Sequence, residues 1–193
     1  MNRLFLMSTL VVAILLAAVV AVMYSSSGAD RTKSAEAPSL AAPKATTPAK
    51  PFPAPKGEPV LRIEGVTRGN VSAHVTEVDF ATLDQAASKE ITIREPFIKR
   101  QMTFNGLPMD ELLRRAGANP STRTVRLHAL DDYHVDLPVA DLRSAGLLAT
   151  RADGKKMAIA KGGPIRLVFS GDGKTARDSD NWIWSVNSIR VKR

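Results

Sequence analysis

The 193-residue sequence contains no cysteine. That excludes a disulfide framework, thiolate zinc and iron–sulfur centres, and any cysteine nucleophile. Aromatics are also scarce, at six Phe, two Tyr and two Trp. With basic residues scattered among them rather than interleaved, there is no stacking platform for nucleic acid. Three histidines, His74, His128 and His134, leave little for a metal site. No Gly-x-Ser-x-Gly elbow is present for a serine hydrolase. Gly173-Lys174-Thr175 resembles the end of a phosphate-binding loop, but the glycine required five positions earlier is Val168.

What the chain does have is a strong polarity in its organisation. Leu4 to Tyr24 is a run of 21 uncharged, mostly apolar residues, about 31 Å as a helix and long enough to span a bilayer. It reads as a signal anchor over 1–24. Ser27-Gly28-Ala29 would serve as a cleavage site, so a cleaved and secreted form is the alternative. Residues 25–57 form an Ala/Pro/Lys-rich linker; Ala35 to Pro59 holds seven of the twelve prolines, a composition suited to an extended polyproline II spacer. A spacer of that kind implies a single-pass protein of the inner membrane, held through residues 4–24, with its domain facing the periplasm. The domain, 58–193, carries 21 Lys+Arg against 17 Asp+Glu from Glu58 onward, so half of the net charge of +8 lies outside it. Its 136 residues suffice for one domain with a core.

The domain reads as α+β, mostly β. Val60 to Gly65 alternates as a half-buried strand, and Thr82 to Gln85 has capping-box spacing for a short helix. Glu90–Arg94 and Met102–Gly106 are further strands. Pro108 suits the first position of a helix whose stripe is Met109, Leu112, Leu113 and Ala116, closed by Gly117. Arg123 to Leu137 is a hairpin whose register follows from its faces. Pairing Ala129 with Tyr133 across a three-residue loop puts both apolar sets on one side, and places His128 opposite His134 and Arg126 opposite Asp136. Val139–Ala145 is a helix, Ala152-Asp-Gly154 a hairpin turn, Gly163–Phe169 a buried strand and Trp182–Val191 a last strand.

Taken in order, Phe104-Asn-Gly-Leu-Pro-Met-Asp-Glu-Leu-Leu113, Ala129-Leu-Asp-Asp-Tyr133, Asp153-Gly-Lys155, Gly162-Gly-Pro-Ile-Arg-Leu-Val168 and Trp182-Ile-Trp184 carry a resemblance. Over roughly 58–193 the chain is similar to the molybdopterin-binding domain of the sulfite oxidase family, in its small membrane-anchored or secreted form. The resemblance implies a sulfite oxidase-like fold and a molybdopterin-dependent oxidoreductase. Catalytic members ligate molybdenum through one cysteine in a segment that here is Ile93–Thr103, and this chain has none. A soft sulfur donor tunes and fixes the metal, so oxygen transfer of that type is not expected. The expectation is a non-catalytic module with no cofactor and no metal, molybdopterin being admitted by the resemblance alone; the alternative is a molybdopterin-binding oxidoreductase or redox-partner protein that holds its cofactor without a thiolate. Its partner would be a small anionic ligand or an envelope protein. Family positions retained for a pocket are Asp132, Tyr133, Gly162, Gly163, Pro164 and Arg166, with Trp184 as a wall; Arg166 would supply the donor fork for an anion.

Overall fold

The computed structural model describes residues 49–68 and 71–192. The predicted anchor and most of the linker lie outside the described residues, among which no helix is long and apolar enough to cross a membrane.

Among the described residues, ten strands form two sheets. The first has the order β2-β1-β10-β5-β6, built from β1 (Pro59–Arg68), β2 (Val71–Asp79), β5 (Thr124–Ala129), β6 (His134–Pro138) and β10 (Val186–Lys192). All its pairings are antiparallel except β1 with β10, which run parallel in register Ile63 to Ile189. The second contains β3 (Lys89–Arg94), β4 (Gln101–Pro108), β7 (Gly146–Ala152), β8 (Lys155–Lys156) and β9 (Arg166–Phe169). Strand β7 is its hub: it pairs with β4, and its two ends take β9 and β8 in turn. Among the described residues, short α-helices connect them: α1 (Phe80–Ala86), α2 (Met109–Ala116), α3 (Val139–Ala145) and α4 (Lys174–Arg177).

One continuous apolar core joins the sheets and α2. Leu61, Ile63, Leu127 and Ile189 from the first sheet belong to the same cluster as Phe104, Leu148 and Leu167 from the second. The expected stripe of α2, Met109, Leu112, Leu113 and Ala116, is buried throughout. Its outer face is laced by Asp110–Arg114 and Glu111–Arg115 pairs one turn apart, and Gly117 ends it in the left-handed region. The β5–β6 hairpin has the register its faces demanded. Ala129 donates its N–H to the Tyr133 carbonyl at 2.9 Å, and His128 and Arg126 face His134 and Asp136.

Several boundaries differ from expectation, each for a local reason. The β1 strand passes through Gly65 as a bulge (φ +77°) and continues to Arg68. Helix α1 is capped by Asp79, whose carboxylate accepts the Thr82 N–H, so it starts before the Thr82 box. Pro108 is the N-cap of α2 and the final residue of β4. The last strand begins at Val186: Trp182-Ile-Trp184 precedes it in a loop that ends at Ser185, whose φ is +50°. The predicted linker does not run to 57 as free chain, because Phe52 is buried on the core and Asp79 accepts the N–H groups of Lys56 and Gly57.

Candidate functional site

The β3–β4 loop, Glu95 to Arg100, closes around its own first side chain. Glu95 is fully buried; Oε2 accepts the N–H groups of Phe97 and Ile98 at 2.8 and 2.5 Å. Its other oxygen meets the Nη2 of Arg166, on β9, at 2.7 Å, both side chains being shut off from solvent. The Arg166 guanidinium also lies 4.7 Å from the Trp184 ring and 5.3 Å from that of Phe104. Burial pulls its pKa down and the Glu95 charge opposes that. A buried ion pair of this kind owes its persistence to the bonds that complete it. Arg166 is therefore turned to Glu95 through Nη2, with its Nε buried and without a hydrogen-bond partner among the described residues, rather than presented as a free fork.

Trp184 is seated by the turn before β9. Gly162 has φ +82°, and a Cβ there would come within 2.8 Å of the indole; its carbonyl accepts the Ser185 N–H. At Gly163 a Cβ would meet the Met157 carbonyl oxygen at 2.1 Å. The edge of Phe97 packs on Trp184 with centroids 5.5 Å apart. The indole Nε1 is buried without a hydrogen-bond partner among the described residues.

Trp184 borders two concavities of opposite character. One, of about 820 Å³, has Arg100, Lys155, Lys156, Lys161 and Arg166 in its wall and Asp153 as its sole carboxylate. Asp153 pairs with Arg100 at 3.0 Å, Glu95 neutralises Arg166, and Lys156 lies 4.8 Å over the Phe80 ring. None of the three lysines forms an ion pair among the described residues, though Lys155 and Lys156 lie within Coulombic reach of Asp153 and Asp84 respectively. The other, of about 440 Å³, is lined by Phe97, Tyr133, Trp182 and Trp184 with Asp131 and Asp180, and no basic side chain. The residues expected in one pocket are thus divided. Tyr133 belongs to the acidic concavity and Arg166 to the basic one, with Trp184 in both. Pro164 lines a separate groove beside β1, Gly162 packs on the Trp184 indole and Gly163 on the Met157 backbone, and Asp132 holds the hairpin turn at φ +65° without lining either concavity. Sequence reasoning missed Glu95, Phe97 and the Lys155–Lys161 wall. An isolated Glu in a polar loop carries no signal until its partner on a distant strand is known.

A cross-strand histidine pair stands apart from both, the rings of His128 and His134 stacked with centroids 5.2 Å apart. Among the described residues no three His, Asp or Glu side chains are grouped to hold a metal.

The oxidoreductase molybdopterin binding domain model matches residues 68–189. The chain belongs to that family. Of solved structures, the sulfane dehydrogenase SoxCD from Paracoccus pantotrophus is similar, at 18% identity with a TM-score of 0.51. The alignment covers 68% of this chain and 37% of that one, so this chain corresponds to just over a third of its length. No curated protein matches. Against the cofactor that the family name implies, the donor set fits in part. The lysine wall suits the phosphate of a pterin, whereas molybdenum finds no thiolate anywhere in the sequence.

Proposed function

We propose that this member of the molybdopterin-binding family is a non-catalytic module that binds a small anionic ligand, tethered by residues 4–24 to the inner membrane with its domain in the periplasm. The observation that carries the reading is Glu95. In the segment where catalytic relatives hold their metal-ligating cysteine, this chain has a buried carboxylate whose oxygens are taken by Arg166 and two backbone N–H groups. Three of the roughly four acceptor sites of that carboxylate are occupied and its charge is matched by Arg166, so Glu95 does not stand in for the soft thiolate donor. The ligand would lie on the Lys155–Lys161 wall, where three ammonium groups outside any ion pair favour phosphate or carboxylate and the sulfur of Met157 and Met102 offers an adaptable apolar floor.

The test uses full-length protein purified from membranes. The expected result is molybdenum far below one atom per chain, no sulfite oxidation, and saturable binding of pyrophosphate that weakens at least tenfold in a Lys155→Ala/Lys161→Ala variant. Stoichiometric molybdenum would overturn the non-catalytic reading. A second reading, a pterin held without a thiolate, is favoured by the breadth of the basic concavity; a fluorescent oxidised pterin released from metal-free protein would select it. A periplasm-only fusion reporter joined after Arg193 tests the orientation.

A further inference from the structure

The acidic concavity is unlike the basic one in every property that selects a ligand. Four of the chain's ten aromatic residues, Phe97, Tyr133, Trp182 and Trp184, meet in it, including both tryptophans. They come from three separate stretches, the β3–β4 loop, the β5–β6 hairpin and the loop before β10, so the fold rather than local sequence assembles them. Tyr133 and Phe97 remain 44% and 47% exposed, a large apolar area left open to water. The cluster is tied together: the Tyr133 hydroxyl donates to the Asp180 carbonyl at 2.8 Å, and the Trp182 Nε1 donates to Ala176. Its charges all have one sign. Asp131 and Asp180 line it, and Asp178 stands close enough that it and Asp180, after burial, push the Tyr133 hydroxyl pKa up. On a domain of net positive charge, this is a local negative field over π faces.

We infer that the concavity formed by Phe97, Tyr133, Trp182, Trp184, Asp131 and Asp180 is a binding site for a small organic cation, of the alkylammonium or quaternary ammonium class. Aromatic faces attract a weakly hydrated cation through their quadrupoles, and carboxylates at the rim add Coulombic attraction; the guanidinium against Trp184, that of Arg166, is paired with Glu95 and does not line the concavity. The volume of about 440 Å³ admits a ligand of choline size with room for its alkyl chain. An anion is disfavoured by the same two carboxylates. This site is independent of the anionic ligand proposed for the lysine wall, and neither depends on the other.

Both tryptophans line the site, so intrinsic fluorescence reads it directly. Full-length protein in a non-ionic maltoside detergent is titrated with choline, with its neutral isostere 3,3-dimethyl-1-butanol, and with acetate. The expected result is a saturable fluorescence change with choline, at least tenfold weaker binding of the isostere, and none of acetate. An Asp131→Asn/Asp180→Asn variant should weaken choline five- to tenfold while its circular dichroism is unchanged, since asparagine can still accept the Tyr133 N–H that Asp131 accepts at 3.2 Å. Should that variant fail to fold, Tyr133→Leu, at an exposed side chain, is expected to weaken choline to a similar degree. Equal binding of choline and its isostere, or choline affinity unmoved in the folded variant, would overturn the inference. Pyrophosphate binding, lost only with the lysine variant, reports separately on the other concavity.

Discussion

The guanidinium of Arg166 and the carboxylate of Glu95 meet at 2.7 Å with neither side chain open to solvent. Removing one partner leaves the other charge buried, so Arg166→Ala and Glu95→Ala are each expected to lose about 3–5 kcal/mol in urea unfolding. The double variant should cost less than the sum of the two by about 1–3 kcal/mol, because it strands no charge. Strict additivity would mean that the two groups do not interact.

Acid should destabilise the domain below about pH 4. Asp136 is held down by Arg126 and then Lys192, Asp84 chiefly by Arg151, and Asp79 by its bonds from Thr82, Lys56 and Gly57. Each has a folded pKa below the unfolded value of 3.8. Between those values the unfolded chain binds more protons, so the contribution is complete above the unfolded pKa and is lost as pH falls through the folded one. Urea midpoints from pH 2 to 6 check this, and Asp136→Asn should flatten the acid limb.

A second, milder window belongs to His128. Burial lowers its pKa first, and the charges of His134, Arg190 and Arg126 follow, with Asp132 opposing. Its folded pKa lies below the unfolded 6.5, so the stability it contributes is present above that value and declines on acidification beneath it. In ring-proton NMR titrations, His134→Gln should move the His128 pKa upward, since one repelling charge is gone. An unmoved titration would mean that His134 has no part in it, leaving burial and the two arginines.

Gly162→Ala tests the seating of Trp184. The new Cβ would press on the indole from a φ of +82°, with an expected loss of about 1–3 kcal/mol and a shifted tryptophan emission maximum. Ala at Gly154, whose φ is +74° with open space around it, should lose less and leave the emission unchanged.

Phe52 should anchor the entry to the domain. It is 9% exposed, with the Arg115 guanidinium 5.7 Å from its ring. Phe52→Ala is expected to cost about 3 kcal/mol, in the range of buried Phe truncations. A fragment starting at Glu58 should melt below one starting at Ala49; identical melting temperatures would make Phe52 a passive passenger.

Elements whose information is local were legible in the sequence. The α2 stripe, its acidic start and basic end, and the β5–β6 register could all be read because residue spacing alone decides which face a side chain takes. The family was legible from the order of five short motifs. The site was read only in part. Tyr133, Arg166 and Trp184 were all singled out, yet nothing along the chain says that Arg166 turns to Glu95, 71 positions away, while Tyr133 turns to Asp180. Phe52 was hidden by its surroundings: proline and alanine on both sides describe a spacer, and one ring in its midst is enough to dock it.

The parallel pairing of β1 with β10 has a consequence for the order in which such a chain can fold. Strand β10 lies at the centre of the first sheet, between the earliest strand and the β5–β6 hairpin, yet it is the last of the ten to be synthesised. Until Val186–Lys192 has emerged, β1 and β5 face an empty slot, and the buried Val186 and Ile189 are missing from the core. The first sheet therefore closes through contacts between strands far apart in the chain, and cannot close before β10 has emerged.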